Sequence, residues 1–324
     1  MLSVICFSKD RPLQLQAYLQ SLLHYSGVPA SAITVLYVDS LEIRYDTLVA
    51  QYQAITWRRE TSFIEDLREI VSNSESYILF GCDDVFFTDH FDVNVALNHL
   101  ARCDDLFGFS LRLGLNLHSL PDLNSDGDVL TWDWTAVAPG HWSYPWDVSA
   151  SIYRRSFVAD YLASTPQATN PNRFEAICVK KLEASRDVLQ NRLACLTTSK
   201  CLTLTVNRVQ DEFPNKFDGS APTDLKTLYD AFLAGRELDW PSFARVANGS
   251  IHVDSAYFKL CDHAVPAAPP LLEVSLVPAR GRVDIRQMRI KVFLWKHLIK
   301  VKETVRTYIP RWLMPVLRNL LRMS

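Results

Sequence analysis

Residues Tyr77–Thr88 read YILFGCDDVFFT, an apolar run, two adjacent carboxylates and a second apolar run. A segment with that profile is a strand buried along its length, with Asp83 and Asp84 at its far end, where polar groups reach a ligand without entering the core. Open α/β sheets bind their ligands at such strand ends. Paired carboxylates there call for a counter-charge, and beside a phosphorylated substrate the common one is a hard divalent cation. A pair of solvated turn residues is the other reading of an isolated Asp-Asp, and it stays open on this stretch alone.

The flanking sequence repeats one unit. Ser3–Phe7 (SVICF) reads as a short buried strand, and Pro12 after Ser8, Lys9, Asp10 and Arg11 suits a first helical turn. Leu15, Leu19, Leu22 and Leu23 share a helix face that Gly27 stops. Ile33–Val38 is a second strand ending at Asp39, followed by a helix marked by Tyr45, Leu48, Val49 and Tyr52. Ile55–Trp57 is a shorter strand, and Thr61 is placed to cap a helix carrying Ile64, Leu67, Ile70 and Val71 on one face. Alternation of this kind predicts an α/β fold, a mostly parallel central sheet flanked by helices and joined by right-handed crossovers. Its strand ends then align Ser8, Asp39 and Asp83 on one edge. No glycine-rich loop follows the first strand, so neither a dinucleotide fingerprint nor a P-loop is present.

Beyond Asp84 the sequence predicts a helix over Val93–Cys103 and a strand over Leu106–Leu113. Asn116–Gly140, rich in Asp, Asn, Ser, Gly and Pro, reads as a long loop or a pair of short ribbons. Trp132, Trp134, Trp142 and Trp146 fall close together here, interleaved with Asp133, His141, Tyr144 and Asp147. Aromatic faces beside carboxylates can hold the C–H face and hydroxyls of a sugar, so the four tryptophans are expected to bind an acceptor; a packing cluster that pins the loop is the alternative. Ser149–Tyr153 reads as a strand, Ser156–Leu162 and Phe174–Leu182 as helices, Leu202–Val206 as a strand and Leu225–Leu233 as a helix stopped at Gly235. Glu175, in the first turn of the helix at Phe174, is a candidate general base or a complement to the helix dipole. Asp147 is a second candidate catalytic acid, and His252 is a lone histidine with a structural or a ligating role.

The totals bound the class. Hydrophobic residues make up 48% and charged residues 22%, ordinary for a globular chain and unlike disordered or collagen-like ones. Seven scattered cysteines without C-x-x-C spacing indicate neither a disulfide framework nor a zinc site, and a reducing cytoplasm is expected. Lys9, Asp10 and Arg11 interrupt the first apolar run too early for a secretory signal, and no run is long enough to span a membrane. From Arg280 onward twelve Lys or Arg face two acids, so this tail carries +10 and the rest −12 of the formal −2. Met288, Val292, Trp295 and Ile299 recur at helical spacing within it, which predicts an amphipathic helix that docks peripherally on an anionic membrane, at the inner face of the cell membrane. The apolar stripe and the acidic remainder argue against nucleic acid as a partner. The expected organisation is a catalytic domain over 1–265 (halves 1–113 and 114–265), a Pro/Ala linker over 266–279 and the basic tail over 280–324.

SVICFSKDRPLQLQAYLQSLLHY at Ser3–Tyr25, LYVDS at Leu36–Ser40, FGCDDVFF at Phe80–Phe87 and FSLRLG at Phe109–Gly114 together resemble a GT-A-type glycosyltransferase of the nucleotide-diphospho-sugar transferase superfamily. WDVSASIYRRSF, NPNRFEA and NRVQDEF are similar to an uncharacterised bacterial branch of it. The resemblance covers roughly residues 1 to 260. It implies transfer of a sugar from a nucleotide-diphosphate donor to a hydroxyl of a glycan or glycolipid, with manganese or magnesium as cofactor. It also implies that Phe7, Ser8, Arg11, Asp39 and Asp83 border the donor, and that His252 completes a metal shell begun by Asp83 and Asp84. The superfamily's metal motif is Asp-x-Asp, whereas here the residue two before Asp84 is Cys82, a poor magnesium ligand. Either both aspartates converge at a bend, or Asp84 alone meets the metal while its neighbour contacts ribose. A non-catalytic carbohydrate-binding relic and a nucleotidyltransferase are the competing functions, and SKDRPLQ lacks the glycines of the latter.

Overall fold

The computed structural model describes residues 1–40, 42–185, 190–207, 224–246 and 249–264. The Pro/Ala linker and the basic tail lie outside the described residues, as do Arg208, Val209 and Gln210. The described residues belong to one compact unit, Met1–Ala267.

In chain order the elements are β1 (Leu2–Lys9), α1 (Pro12–Ser26), β2 (Ile33–Val38), α2 (Asp46–Gln51), β3 (Thr56–Arg59), α3 (Phe63–Ser72), β4 (Tyr77–Cys82), β5 (Val85–Phe87), α4 (Val93–Arg102) and β6 (Leu106–Ser110). They continue with β7 (Asn124–Asp126), β8 (Val129–Asp133), β9 (Ser151–Arg154), α5 (Arg155–Ala163), α6 (Pro171–Ala184), β10 (Arg192–Leu196), β11 (Cys201–Thr203), α7 (Leu225–Leu233), β12 (Glu237–Leu238) and β13 (Leu260–Cys261). Among the described residues the central sheet has nine strands in the order β3-β2-β1-β4-β9-β6-β10-β8-β7. β1 to β4 run parallel; β9 and β8 are reversed between parallel neighbours, so the sheet is mixed but mostly of one direction.

Alternation along the strands sorts the core into two layers. Val4, Cys6 and Leu79 pack with α1, α4 and α7 on one face, while Ile5, Phe7, Ile78 and Phe80 pack with α3, α5 and α6 on the other. Strands covered on both faces need the near-continuous apolar runs that the sequence shows. α1 begins with Pro12 in its first turn and ends at Gly27, whose φ of 66° is the left-handed cap that glycine takes without strain. It is buried nearly all round, Gln14 and Gln16 included, rather than on one face.

Several expected elements shift. Thr61 does not cap α3: Ser62 is the N-cap residue, and Asp66 reaches back to accept from the backbone N–H groups of Thr61 (2.6 Å) and Ser62 (2.9 Å). α6 starts at Pro171, three residues earlier than read, with the Asn170 side chain accepting from Arg173 N at 2.8 Å. Glu175 therefore stands in its second turn, too deep to serve as the expected dipole complement. The strand expected at Leu202–Val206 is the short β11, which leaves the central sheet and pairs with β5.

The three parallel strands β1, β2 and β4 end together, with Phe7 opposite Cys82 and Lys9 opposite Val38.

Candidate active site

β4 ends at Cys82, and Asp83 and Asp84 form the turn into β5. The turn sends the two carboxylates to different surroundings. Asp83 is 0% exposed; it accepts from Ser8 Oγ at 2.7 Å and is ion-paired with Arg11. Ser8 Oγ in turn bonds Tyr45 Oη at 2.7 Å, and Tyr45 Oη accepts from Arg11 N at 3.0 Å. Burial pushes the Asp83 carboxyl up to about 6 against the opposing pull of Arg11. Asp83 is therefore a structural anchor for the β1–α1 turn, not the ribose contact or metal ligand that the sequence suggested. Asp84 lines a cleft of about 980 Å3, with the Arg11 guanidinium 3.7 Å away.

That cleft lies over the strand ends. Phe7, Ser8 and Arg11 line it, together with Lys9 and, from beyond β3, Glu60. Asp39 is not among the lining residues; its carboxylate is held by Arg59 (2.6 Å) and Arg44 (3.4 Å) at the end of β2. Arg112, Tyr144, Glu175 and His252 line the same cleft. Glu175 accepts from Tyr144 Oη at 2.9 Å and from Val148 N at 2.8 Å. Burial and then Asp147 raise its carboxyl to about 7, so near neutrality it can both take and release a proton.

Asp147 does not share that role. Both its oxygens bind Arg112, at 2.8 and 3.0 Å, and accept further from Ser149 N and Ser151 Oγ. It is 6% exposed and absent from the cleft lining. Its carboxylate fixes Arg112, which it holds as a cation in the cleft wall, so the expectation of a catalytic acid is corrected.

The tryptophans are corrected too. Trp132, Trp134, Trp142 and Trp146 are 0–4% exposed and belong to the core layer under α6. Trp146 stacks on Tyr153 (centroids 4.8 Å apart) and meets Phe174 edge-on, while Trp132 Nε1 donates to Trp142 O at 2.7 Å. They pin the β8–β9 loop, which was the packing alternative; Trp142 lines a chamber beside the cleft but is only 4% exposed.

For a divalent cation the donor set is specific. Among the described residues no group of three His, Cys, Asp or Glu side chains is arranged to hold a metal. The Cys82 thiol donates to Val148 O at 3.6 Å and is pushed up by burial and by Asp84, so it is a protonated, internally used group. Asp84 and His252 remain: both line the cleft, and they are close enough for Asp84 to favour the imidazolium. Partial loss of hydration and Arg112 outweigh that effect and lower the His252 pKa, leaving an imidazole free to ligate. Among the described residues a cation in this cleft would thus meet one carboxylate and one imidazole of the protein and would need oxygens from a substrate, and imidazole nitrogen is a better match to manganese than to magnesium.

No protein-family model matches the chain. It is 24% identical over 276 residues to the bifunctional glycosyltransferase pgtA of Dictyostelium discoideum, an alignment that covers 73% of this chain and 34% of that protein. The chain thus spans about a third of that relative's length. The resemblance to nucleotide-diphospho-sugar transferases read from the sequence meets a named glycosyltransferase here. Among solved structures, the 1–349 fragment of S. aureus TarS in complex with UDP superposes with a TM-score of 0.42 at 14% identity, covering 63% of this chain and 60% of that one. The same fragment with UDP-GlcNAc gives 0.40 at 13% identity, over 79% and 68%. The mannosyltransferase PcManGT from Pyrobaculum calidifontis with GDP-Man and Mn2+ gives 0.31 at 10% identity, over 49% and 46%. These superpositions are too partial to place any residue.

The sequence offered no role for Arg112, Lys9 or Glu60, and singled out Tyr144 and His141 only as neighbours of the tryptophans. For Arg112 a signal existed: a cation just past the apolar run LFGFSL stands at a strand end by the same logic as Asp84.

Proposed function

We propose that this chain is a glycosyltransferase that binds a nucleotide-diphosphate sugar along the β1–β4 edge and passes the sugar to a hydroxyl of a glycan or glycolipid. The observation that carries the reading is the meeting, in one cleft, of Asp84, the cations Arg11 and Arg112, and a carboxyl raised to about 7 at Glu175. Cations at the strand ends suit a diphosphate, and a carboxylate with that proton affinity suits removal of a proton from an acceptor hydroxyl. The kinship with a protein named a glycosyltransferase supports it.

In the step we infer, Glu175 takes the acceptor proton as the acceptor oxygen bonds to the anomeric carbon. The bond from that carbon to the diphosphate breaks with its electron pair on the leaving oxygen, and the anomeric configuration inverts. Arg112, fixed by Asp147, holds positive charge in the wall, and Val148 N and Tyr144 Oη keep Glu175 aimed. A divalent cation held by Asp84 and His252 would supply further neutralisation of the departing diphosphate.

The basic tail from Arg280 belongs to the same reading as a peripheral anchor that brings the cytoplasmic enzyme to an anionic membrane bearing its acceptor. Among the described residues no helix is long and apolar enough to cross a membrane.

The test is transfer from UDP- and GDP-sugars to methyl glycosides, read as released nucleoside diphosphate. Turnover should rise with pH through about 7, because the base works only when deprotonated. Glu175→Gln should lower kcat on the order of a hundredfold with donor affinity little changed. Full activity in that variant would remove Glu175 as the base.

A further inference from the structure

The four tryptophans are inside the core, and one aromatic residue of the same loop is not. Tyr144 is 36% exposed, one of few large apolar side chains at the surface of the described residues, and it lines the cleft. Its hydroxyl donates to Glu175 Oε1 at 2.9 Å. It therefore joins the β8–β9 loop to α6 at the carboxylate that the transfer requires, while the rest of its ring faces the space where an acceptor must lie for its proton to reach Glu175.

We propose that Tyr144 is the floor of the acceptor subsite and the positioning residue of the base: its ring takes the apolar C–H face of the acceptor sugar, and its hydroxyl orients Glu175 toward the attacking oxygen. This rests on the glycosyl-transfer reading above. A tyrosine suits both tasks because its apolar body and polar tip act independently. Trp142 and Trp146, two residues to either side of Tyr144, are buried in the core and tie the loop down around it. The neighbouring chamber of about 880 Å3, which shares Pro139, Gly140 and His141 with the cleft, gives a longer acceptor room to extend past the ring.

The hydroxyl also acts on proton affinity. The titratable or charged groups that face Glu175 are Asp147 and Tyr144 from the loop before β9, Tyr153 on β9, Arg112 from beyond β6, Cys82 at the end of β4 and Cys178 on its own helix. Asp147 raises the Glu175 carboxyl, whereas Arg112, Val148 N and the Tyr144 hydrogen bond lower it. Removing the hydroxyl alone should move the carboxyl further up.

The experiment compares Tyr144→Phe and Tyr144→Ala with the unmodified chain in the methyl-glycoside assay, following kcat, acceptor KM, donor KM and the pH profile. Tyr144→Phe should keep the acceptor KM within about twofold, lower kcat roughly tenfold and move the rising limb of the profile to higher pH. Tyr144→Ala should add a rise in acceptor KM of about fivefold or more, with donor KM unchanged in both. An unshifted limb in Tyr144→Phe, or an unchanged acceptor KM in Tyr144→Ala, overturns the assignment. An unmodified chain that consumes no nucleotide-diphosphate sugar would instead overturn the transferase reading itself, so the two failures are distinct.

Discussion

Asp83 and Asp84 are adjacent, chemically identical and put to different uses. Asp83 neutralises the largely covered Arg11, and replacing it with alanine leaves that cation only the longer 3.7 Å contact to Asp84. Asp83→Ala should therefore cost about 3 kcal/mol or more of stability, measured by denaturant unfolding. Asp84→Ala should leave the unfolding midpoint nearly unchanged and remove donor binding. A stable Asp83→Ala variant would contradict the anchor role. The place of this pair was legible in the sequence, since an apolar strand that ends in carboxylates can only present them at the sheet edge. Which of the two faces the ligand was not, because that depends on how the turn into β5 rotates one residue against the next. The tryptophans were illegible for a different reason. The same side chain serves as sugar platform or core filler, and only the packing of α6 over the loop decides it.

At the scale of elements, the site depends on how closely α1 lies on β4. A Cβ at Gly81 would stand 2.0 Å from the hydroxyl of Tyr18 and 2.6 Å from its ring, and Tyr18 is fully buried on α1. Gly81→Ala must push α1, and Arg11 ahead of it, away from the strand end. Overpacking of this kind costs about 1–3 kcal/mol, and thermal unfolding should show it together with weakened donor binding. A fully stable variant would mean that α1 yields without cost. The β1–β4 alternation was readable from periodicity. β10, Arg192–Leu196, carries no such signal: RLACL is only five residues long, lacks β-branched side chains and owes its strand conformation to the neighbours β6 and β8. Likewise the start of α6 is set by Asn170 and Pro171 rather than by the apolar residue Phe174, which puts Glu175 in the second turn and not the first.

For the whole molecule the charge division is the feature that the described residues leave to experiment. With +10 in the last 45 residues and −12 in the rest, the chain has two parts of opposite sign. Each base near an anionic surface is worth about 1 kcal/mol, so the full-length protein should co-sediment with phosphatidylserine-containing vesicles in low salt. Truncation at Pro278 should abolish this without reducing transfer to soluble methyl glycosides. A full-length protein indifferent to such vesicles would rule out the docking role.

The claim on which everything else depends is that the cleft over the β1–β4 edge holds a nucleotide-diphosphate sugar. The direct measurement is thermal unfolding against a panel of UDP- and GDP-sugars, with manganese and with chelator, on the unmodified chain and on Asp84→Ala. A donor at a hundred times its dissociation constant should stabilise the unmodified chain by about 2.7 kcal/mol, seen as a raised Tm that depends on manganese and is absent in Asp84→Ala. No stabilisation by any member of the panel, or the same stabilisation in the variant, would contradict it.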